Sequence, residues 1–210
     1  MNRSILACSA FAAALLLVGC QTGKNTCCPA STTAATVTPS PEPAAIIAPA
    51  APVTAPPVIS NTGVRIKAGL SSPLTDSAGH VWLADQGFDG GDVIERSDLE
   101  IANTKMPEIY RSERYAMESF KHPLPNGKYQ VKLHFAETFE GITGPGERVF
   151  SFTVEGQEFK DFDVWKKAGG GQRAYVETVN VDIADGKLDI KFISNLENPE
   201  INGIEIIPVQ

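Results

Sequence analysis

Residues 64–210 contain no cysteine: the four in the chain are Cys8, Cys20, Cys27 and Cys28. A fold in that region therefore rests on neither a disulfide framework nor a cysteine metal site. There is no basic run, and the formal net charge is −7, so a surface that tracks the phosphates of nucleic acid, or an anionic membrane surface, has no source of charge. Histidine is scarce. His80, His122 and His134 are scattered without ligand-spaced partners, which points to neither a Ser/His/Asp set nor a zinc site. His134 falls on the non-core phase of its strand and is expected on a second face or at the surface. No apolar run is long enough for a membrane span, and no convincing amphipathic helix pattern occurs.

The first twenty residues, MNRSILACSAFAAALLLVGC, place one arginine before an apolar run of roughly 14 residues and then small residues, the layout of a secretory signal. Leu17-Val18-Gly19-Cys20 resembles a bacterial lipobox. The expectation is a signal peptide over residues 1–19 and a lipidated, palmitate-bearing Cys20 at the head of the mature chain. Gln21 is not the aspartate that often retains such proteins at the inner membrane, so a cell-envelope location at the outer membrane is expected. Residues 20–61 are Ala, Thr, Ser and Pro with Lys24 and Glu42 the only charges. That composition builds no core and reads as a disordered tether, which at ~3.1 Å per residue reaches on the order of 100 Å.

From Val64 the pattern changes to short strands separated by turn residues. Tyr129, Val131, Leu133 and Phe135 alternate with polar residues after Pro125-Asn126-Gly127, and Phe150, Phe152 and Val154 alternate up to Glu155-Gly156. Val179, Val181 and Ile183 precede Asp185-Gly186, and Leu188, Ile190 and Phe192 follow it, which reads as a hairpin. Ile204 and Ile206 make a last strand. Period-2 strands with one apolar face at short spacing predict an all-β, antiparallel β-sandwich over residues 62–210.

Three features of this region bear on chemistry. Glu137 and Glu140 could act as the paired carboxylates of sugar hydrolysis, but the sequence does not fix their separation. The alternative is that Glu137 pairs with an arginine such as Arg148 or Arg114 and that Glu140 is solvated. Asp85, Asp89 and Asp92 are oxygen-rich enough for a structural calcium ion, although turn capping is the commoner use of such aspartates; no other cofactor is indicated. Aromatic residues beside carboxylates or amides suit a pyranose, which has an apolar C–H face and a rim of hydroxyls. Phe139 with Glu140, Tyr110 and Tyr115 in IYRSERY, and Glu197 with Asn198 have that make-up, and each could instead fold back on the core.

The segments DSAGHVWLADQGFDGGD, IYRSERY, NGKYQVKLHFAETFEG, ERVFSFTVEGQEFKDFDV, DGKLDIKFI and NPEINGIEII, in this order, resemble the malectin family of carbohydrate-binding domains. The resemblance implies a jelly-roll-like β-sandwich that binds an oligosaccharide or other glycan in a loop-built cleft without catalysing a reaction. Matching the family's motifs places its sugar-contacting residues at Tyr115, Phe139, Glu140 and Glu197. Phe139 lacks a hydroxyl that the family usually has there, Glu140 replaces an aromatic, and Glu197 is longer by a methylene than the aspartate it matches. These departures leave open a structural or protein-interaction sandwich that has lost the sugar site. The oligomeric state and the glycan are not indicated.

Overall fold

The computed structural model describes residues 63–209. The signal, Cys20 and tether lie outside the described residues. Among those described, the strands are β1 (Val64–Lys67), β2 (Leu74–Thr75), β3 (Val81–Trp82), β4 (Phe88–Glu95), β5 (Ser112–Pro123), β6 (Gly127–Phe135), β7 (Val149–Val154), β8 (Gln157–Phe162), β9 (Tyr175–Ile183), β10 (Lys187–Leu196), β11 (Glu200–Ile201) and β12 (Gly203–Pro208). A 3-10 turn spans Pro107–Tyr110, and one short helix, α1, spans Val164–Ala168.

Two antiparallel sheets form the sandwich. One runs β1-β12-β6-β9; the other runs β11-β5-β10-β7-β8, with β4 added along β5, and β2-β3 make a separate ribbon. The alternation read in the sequence points one side chain in two inward. Leu133, Phe135, Phe150, Phe152, Ile190 and Ile204 are buried in one continuous core between the sheets. Phe135 meets Phe150, Phe152 and Phe162 at ring-centroid distances of 5.0 to 6.1 Å, which fits the tilted geometry that aromatic rings prefer. The all-β expectation is met.

The hairpin expected around Asp185-Gly186 is not formed. β9 pairs with β6, whereas β10 pairs with β5 and β7 in the opposite sheet. The turn therefore crosses the sandwich, and each strand presents its apolar residues to the core from a different side. Glu155-Gly156 does join a true hairpin, β7 to β8.

The sheet containing β6 is also covered on its outer side. Trp82, Ile101, Ile109, Tyr110, Ala136 and Ala174 form a second cluster there. His134 joins it as a buried second-face residue, edge-on to Trp82 at 5.3 Å. Its ring nitrogens bond the Tyr110 hydroxyl at 2.8 Å and the Glu205 carboxylate at 3.0 Å. Tyr110 is thereby a core residue, which removes it from the sugar-facing candidates.

Candidate functional site

The site begins with an irregularity in β5. Its neighbour β4 shifts register between Asp89 and Gly90, and Ala116, directly after Tyr115, has φ +58°. Bulges of this kind re-aim a side chain and occur beside functional sites. The β4 backbone can approach here because residue 91 is glycine: a Cβ would meet the Tyr115 carbonyl and the Met117 amide. Tyr115 is held between β4 and β11, opposite Asp92 on one side and Glu200 on the other.

Across from Tyr115, the chain leaves β6 through Ala136-Glu137-Thr138 and exposes Phe139, which is 45% accessible. The Phe139 amide donates to Glu137 Oε1 at 3.0 Å, and Arg148 Nε donates to Glu137 Oε2 at 2.7 Å. The Ile142 amide closes the turn on the Phe139 carbonyl at 3.0 Å. Glu137 is thus the structural partner of Arg148, as one sequence reading expected, and its carboxylate is spent on holding Phe139 in place.

The third wall follows β10. Glu197 takes the left-handed conformation, φ +62°, uncommon for a residue with a side chain and often found at functional sites. Arg148 also donates to the Asn198 carbonyl at 2.6 Å, which ties this loop to Glu137.

These walls enclose an open cleft of about 280 Å³ lined by Ile94, Arg96, Glu113, Tyr115, Phe139, Arg148, Glu197 and Asn198. Three of the four expected site residues, Tyr115, Phe139 and Glu197, meet there. Glu140 does not; it lines a neighbouring hollow on the other side of Phe139. Arg96, Glu113 and Arg148 were not singled out as cleft residues from the sequence. They form the floor: Thr138 Oγ1 donates to Glu113 at 2.6 Å, and Arg96 bonds Thr138 at 2.9 Å and lies 3.2 Å from Glu113. The only sequence signal for any of them was the expected partnership of Arg148 with Glu137.

Beneath the floor lies Glu200, fully buried, with both carboxylate oxygens lacking a hydrogen-bond partner. Burial pushes its pKa well above the usual carboxylate range, and repulsion from Glu113 and Glu137 adds to the shift against the pull of Arg148 and Arg96. Protonation of Glu200 leaves two carboxylates, Glu113 and Glu137, facing the two arginines, Arg96 and Arg148. The floor is then neutral and internally satisfied. By contrast, neither the Tyr115 hydroxyl nor the Glu197 carboxylate bonds another described residue, so both are available at the mouth.

The aspartates considered for calcium are placed otherwise. Asp85 accepts from the Gly69 amide at 2.7 Å and forms a two-nitrogen pair with Arg114 at 2.9 to 3.2 Å, while Asp89 and Asp92 lie exposed on β4. Among the described residues, no group of three His, Cys, Asp or Glu side chains is arranged to hold a metal ion.

Two antiparallel sheets, with an aromatic and carboxylate cleft formed by β4, β5 and the loops after β6 and β10, define a β-sandwich domain. The chain belongs to the malectin domain family, whose profile matches residues 62–204. It is 30% identical over 129 residues to a kinesin-like protein of Oryza sativa, KIN-14E, covering 57% of this chain and 12% of that protein. To a probable LRR receptor-like serine/threonine-protein kinase of Arabidopsis thaliana it is 28% identical over 141 residues, covering 63% of this chain and 13% of the kinase. The chain thus spans only about an eighth of the length of these relatives. Among solved structures, the ANXUR2 extracellular domain of Arabidopsis thaliana superposes with a TM-score of 0.62 at 16% identity, over 71% of this chain and 49% of that one. A β-glucuronidase of Bacteroides uniformis does so with 0.63 at 22% identity, over 70% of this chain and 18% of the enzyme. These two likenesses concern the fold alone.

Proposed function

We propose that this domain binds a glycan in the Tyr115–Phe139–Glu197 cleft without catalysing a reaction, and that Cys20 anchors it to the outer membrane through a lipid and the tether of residues 20–61. The observation that carries the reading is the convergence of Tyr115, Phe139 and Glu197 on one cleft. Exposed aromatic rings cover the C–H face of a sugar, and the available carboxylate of Glu197 accepts from its hydroxyls. Glu137 cannot serve as one of a catalytic pair while Arg148 and the Phe139 amide occupy it, which supports recognition over hydrolysis.

A glycan array probed with the whole chain tests the reading. Binding to at least one saccharide is expected, and Tyr115→Ala combined with Phe139→Ala should reduce it by about tenfold or more, equivalent to ~1.4 kcal/mol. An array without signal would favour the protein-interaction sandwich, for which the exposed Ile94 and Leu196 beside the cleft supply apolar surface. Release of reducing sugar would revive the enzyme. The anchor has its own test: Cys20→Ala should abolish acyl labelling, and persistent labelling would refute it.

A further inference from the structure

Phe139 is a ridge with a hollow on each side. Beyond it from Tyr115 lies an opening of about 360 Å³ lined by Glu137, Thr138, Phe139, Glu140, Ile142, Thr143, Trp165, Gly171 and Gln172. Small-ligand sites usually occupy about 300–1,000 Å³; the first cleft falls just short of that range and the second is at its lower end, whereas the two together lie well inside it.

The second hollow contains the same chemistry as the first: a partly exposed aromatic, Trp165, facing a carboxylate, Glu140, and an amide, Gln172. Its wall is fixed in advance. Asp163 caps α1 by accepting from the Lys166 amide at 2.9 Å, and it also accepts from the Gly146 amide at 2.7 Å. The Trp165 carbonyl accepts from the Gly169 and Gly170 amides at 3.0 and 2.9 Å. Gly171 then runs so close to the indole that a Cβ would meet the ring at 2.6 Å. Gln172 has φ +51° and is clamped by its backbone, donating to the Glu137 carbonyl at 2.8 Å and accepting from the Ala102 amide at 2.9 Å. On the facing side, Glu147 accepts from the Thr143 amide at 2.5 Å and the Gly144 amide at 3.2 Å, which fixes the loop that bears Glu140. The Glu140 carboxylate itself bonds no other described residue.

We propose that the second hollow is an extension subsite for the same saccharide chain, which passes over Phe139 and stacks its next unit on Trp165 while Glu140 and Gln172 bond its hydroxyls. The inference rests on the glycan reading of the first cleft. It assigns Glu140 a role on the opposite side of Phe139 from Tyr115, and it makes the site one for an oligosaccharide longer than a disaccharide.

Calorimetric titration of the whole chain with mono- to pentasaccharides separates the two claims. The probes are α-1,4-glucose, β-1,4-glucose and β-1,4-N-acetylglucosamine series, together with any linkage returned by the array. Affinity should rise by about tenfold beyond the disaccharide. Trp165→Ala should abolish that rise while leaving disaccharide affinity within about twofold, and Trp165→Phe should keep most of it. Tyr115→Ala should weaken every length. Affinity independent of length, or a Trp165→Ala loss equal for disaccharide and pentasaccharide at an unchanged melting temperature, would overturn the subsite and leave the first cleft standing. Absence of saccharide binding by the unmodified chain would overturn both.

Discussion

Glu200 and Lys67 are charged residue types at positions where water does not reach, and each has a definite consequence. Lys67 Nζ donates to the carbonyls of Ala68, Ser112 and Asn202 at 2.5 to 2.8 Å, joining the end of β1 to the start of β5 and to the β11–β12 turn. Burial lowers its pKa to about 7 against the pull of Asp85, Glu113 and Glu95. Lys67→Met keeps the apolar stem but removes one donor from each of three buried carbonyls, which keep only Ser112 Oγ on Ala68, Asn202 Nδ2 on Ser112 and the Ala68 amide on Asn202. It should destabilise the fold by about 1–2 kcal/mol in denaturant titration; a change within about 0.5 kcal/mol would mean that the remaining donors suffice. For Glu200, the folded pKa lies above the ordinary value of 4.5. The stability it supports is therefore complete below the unfolded pKa and is lost as pH rises through the folded one. Glu200→Gln reproduces the protonated shape without the proton. The variant's melting temperature should gain on the unmodified chain's as pH rises from about 5 to 9, and parallel curves would contradict a buried neutral carboxyl. Neither residue is distinguishable in the sequence, because the letters E and K do not record burial.

At the scale of elements, local chemistry was legible where neighbours along the chain decide the outcome. The alternation of β6 and β7 and the Glu155-Gly156 turn follow from side-chain period and turn preference. The Asp185-Gly186 turn was legible too, but not the change of sheet it makes, since strand partners are chosen across the whole core. The single turn of α1 was missed because five residues are too short for a helical period, and with it went the placement of Trp165. The loop between β6 and β7 supports a prediction of its own. Gly141 backs the Phe139 ring, and a Cβ there would overlap it. Position 141 is exposed, so Gly141→Ala should leave the melting temperature within about 2 °C. It should nevertheless turn Phe139 out of place and weaken saccharide binding by about tenfold. Unchanged affinity would show that the ring position is immaterial.

For the whole molecule, the sandwich class could be read from the sequence, and Tyr115, Phe139 and Glu197, which sit in segments that resemble the malectin motifs, converge on one cleft. What could not be read was the partition of the site. Glu140 follows Phe139 directly in the chain, yet Phe139 lines both hollows whereas Glu140 lines only the second. The floor and the glutamate beneath it were equally hidden, since Arg96, Glu113, Arg148 and Glu200 lie on or beside β4, β5, β7 and β11 and meet only when those distant segments assemble into one sheet. A further hollow of about 260 Å³ lies on the outer face of β7 and β8 around Phe159. There the aromatic ring is already stacked on Phe152 at 4.6 Å and 10°, which makes it the weaker platform. Amide chemical-shift mapping of the whole chain during titration with an array-positive saccharide distinguishes these surfaces directly. The account predicts that the perturbed amides cluster on Tyr115, Phe139, Glu197 and Asn198. Perturbations confined to Ser151–Thr153 and Glu158–Asp161, with the loop amides unmoved, would contradict it.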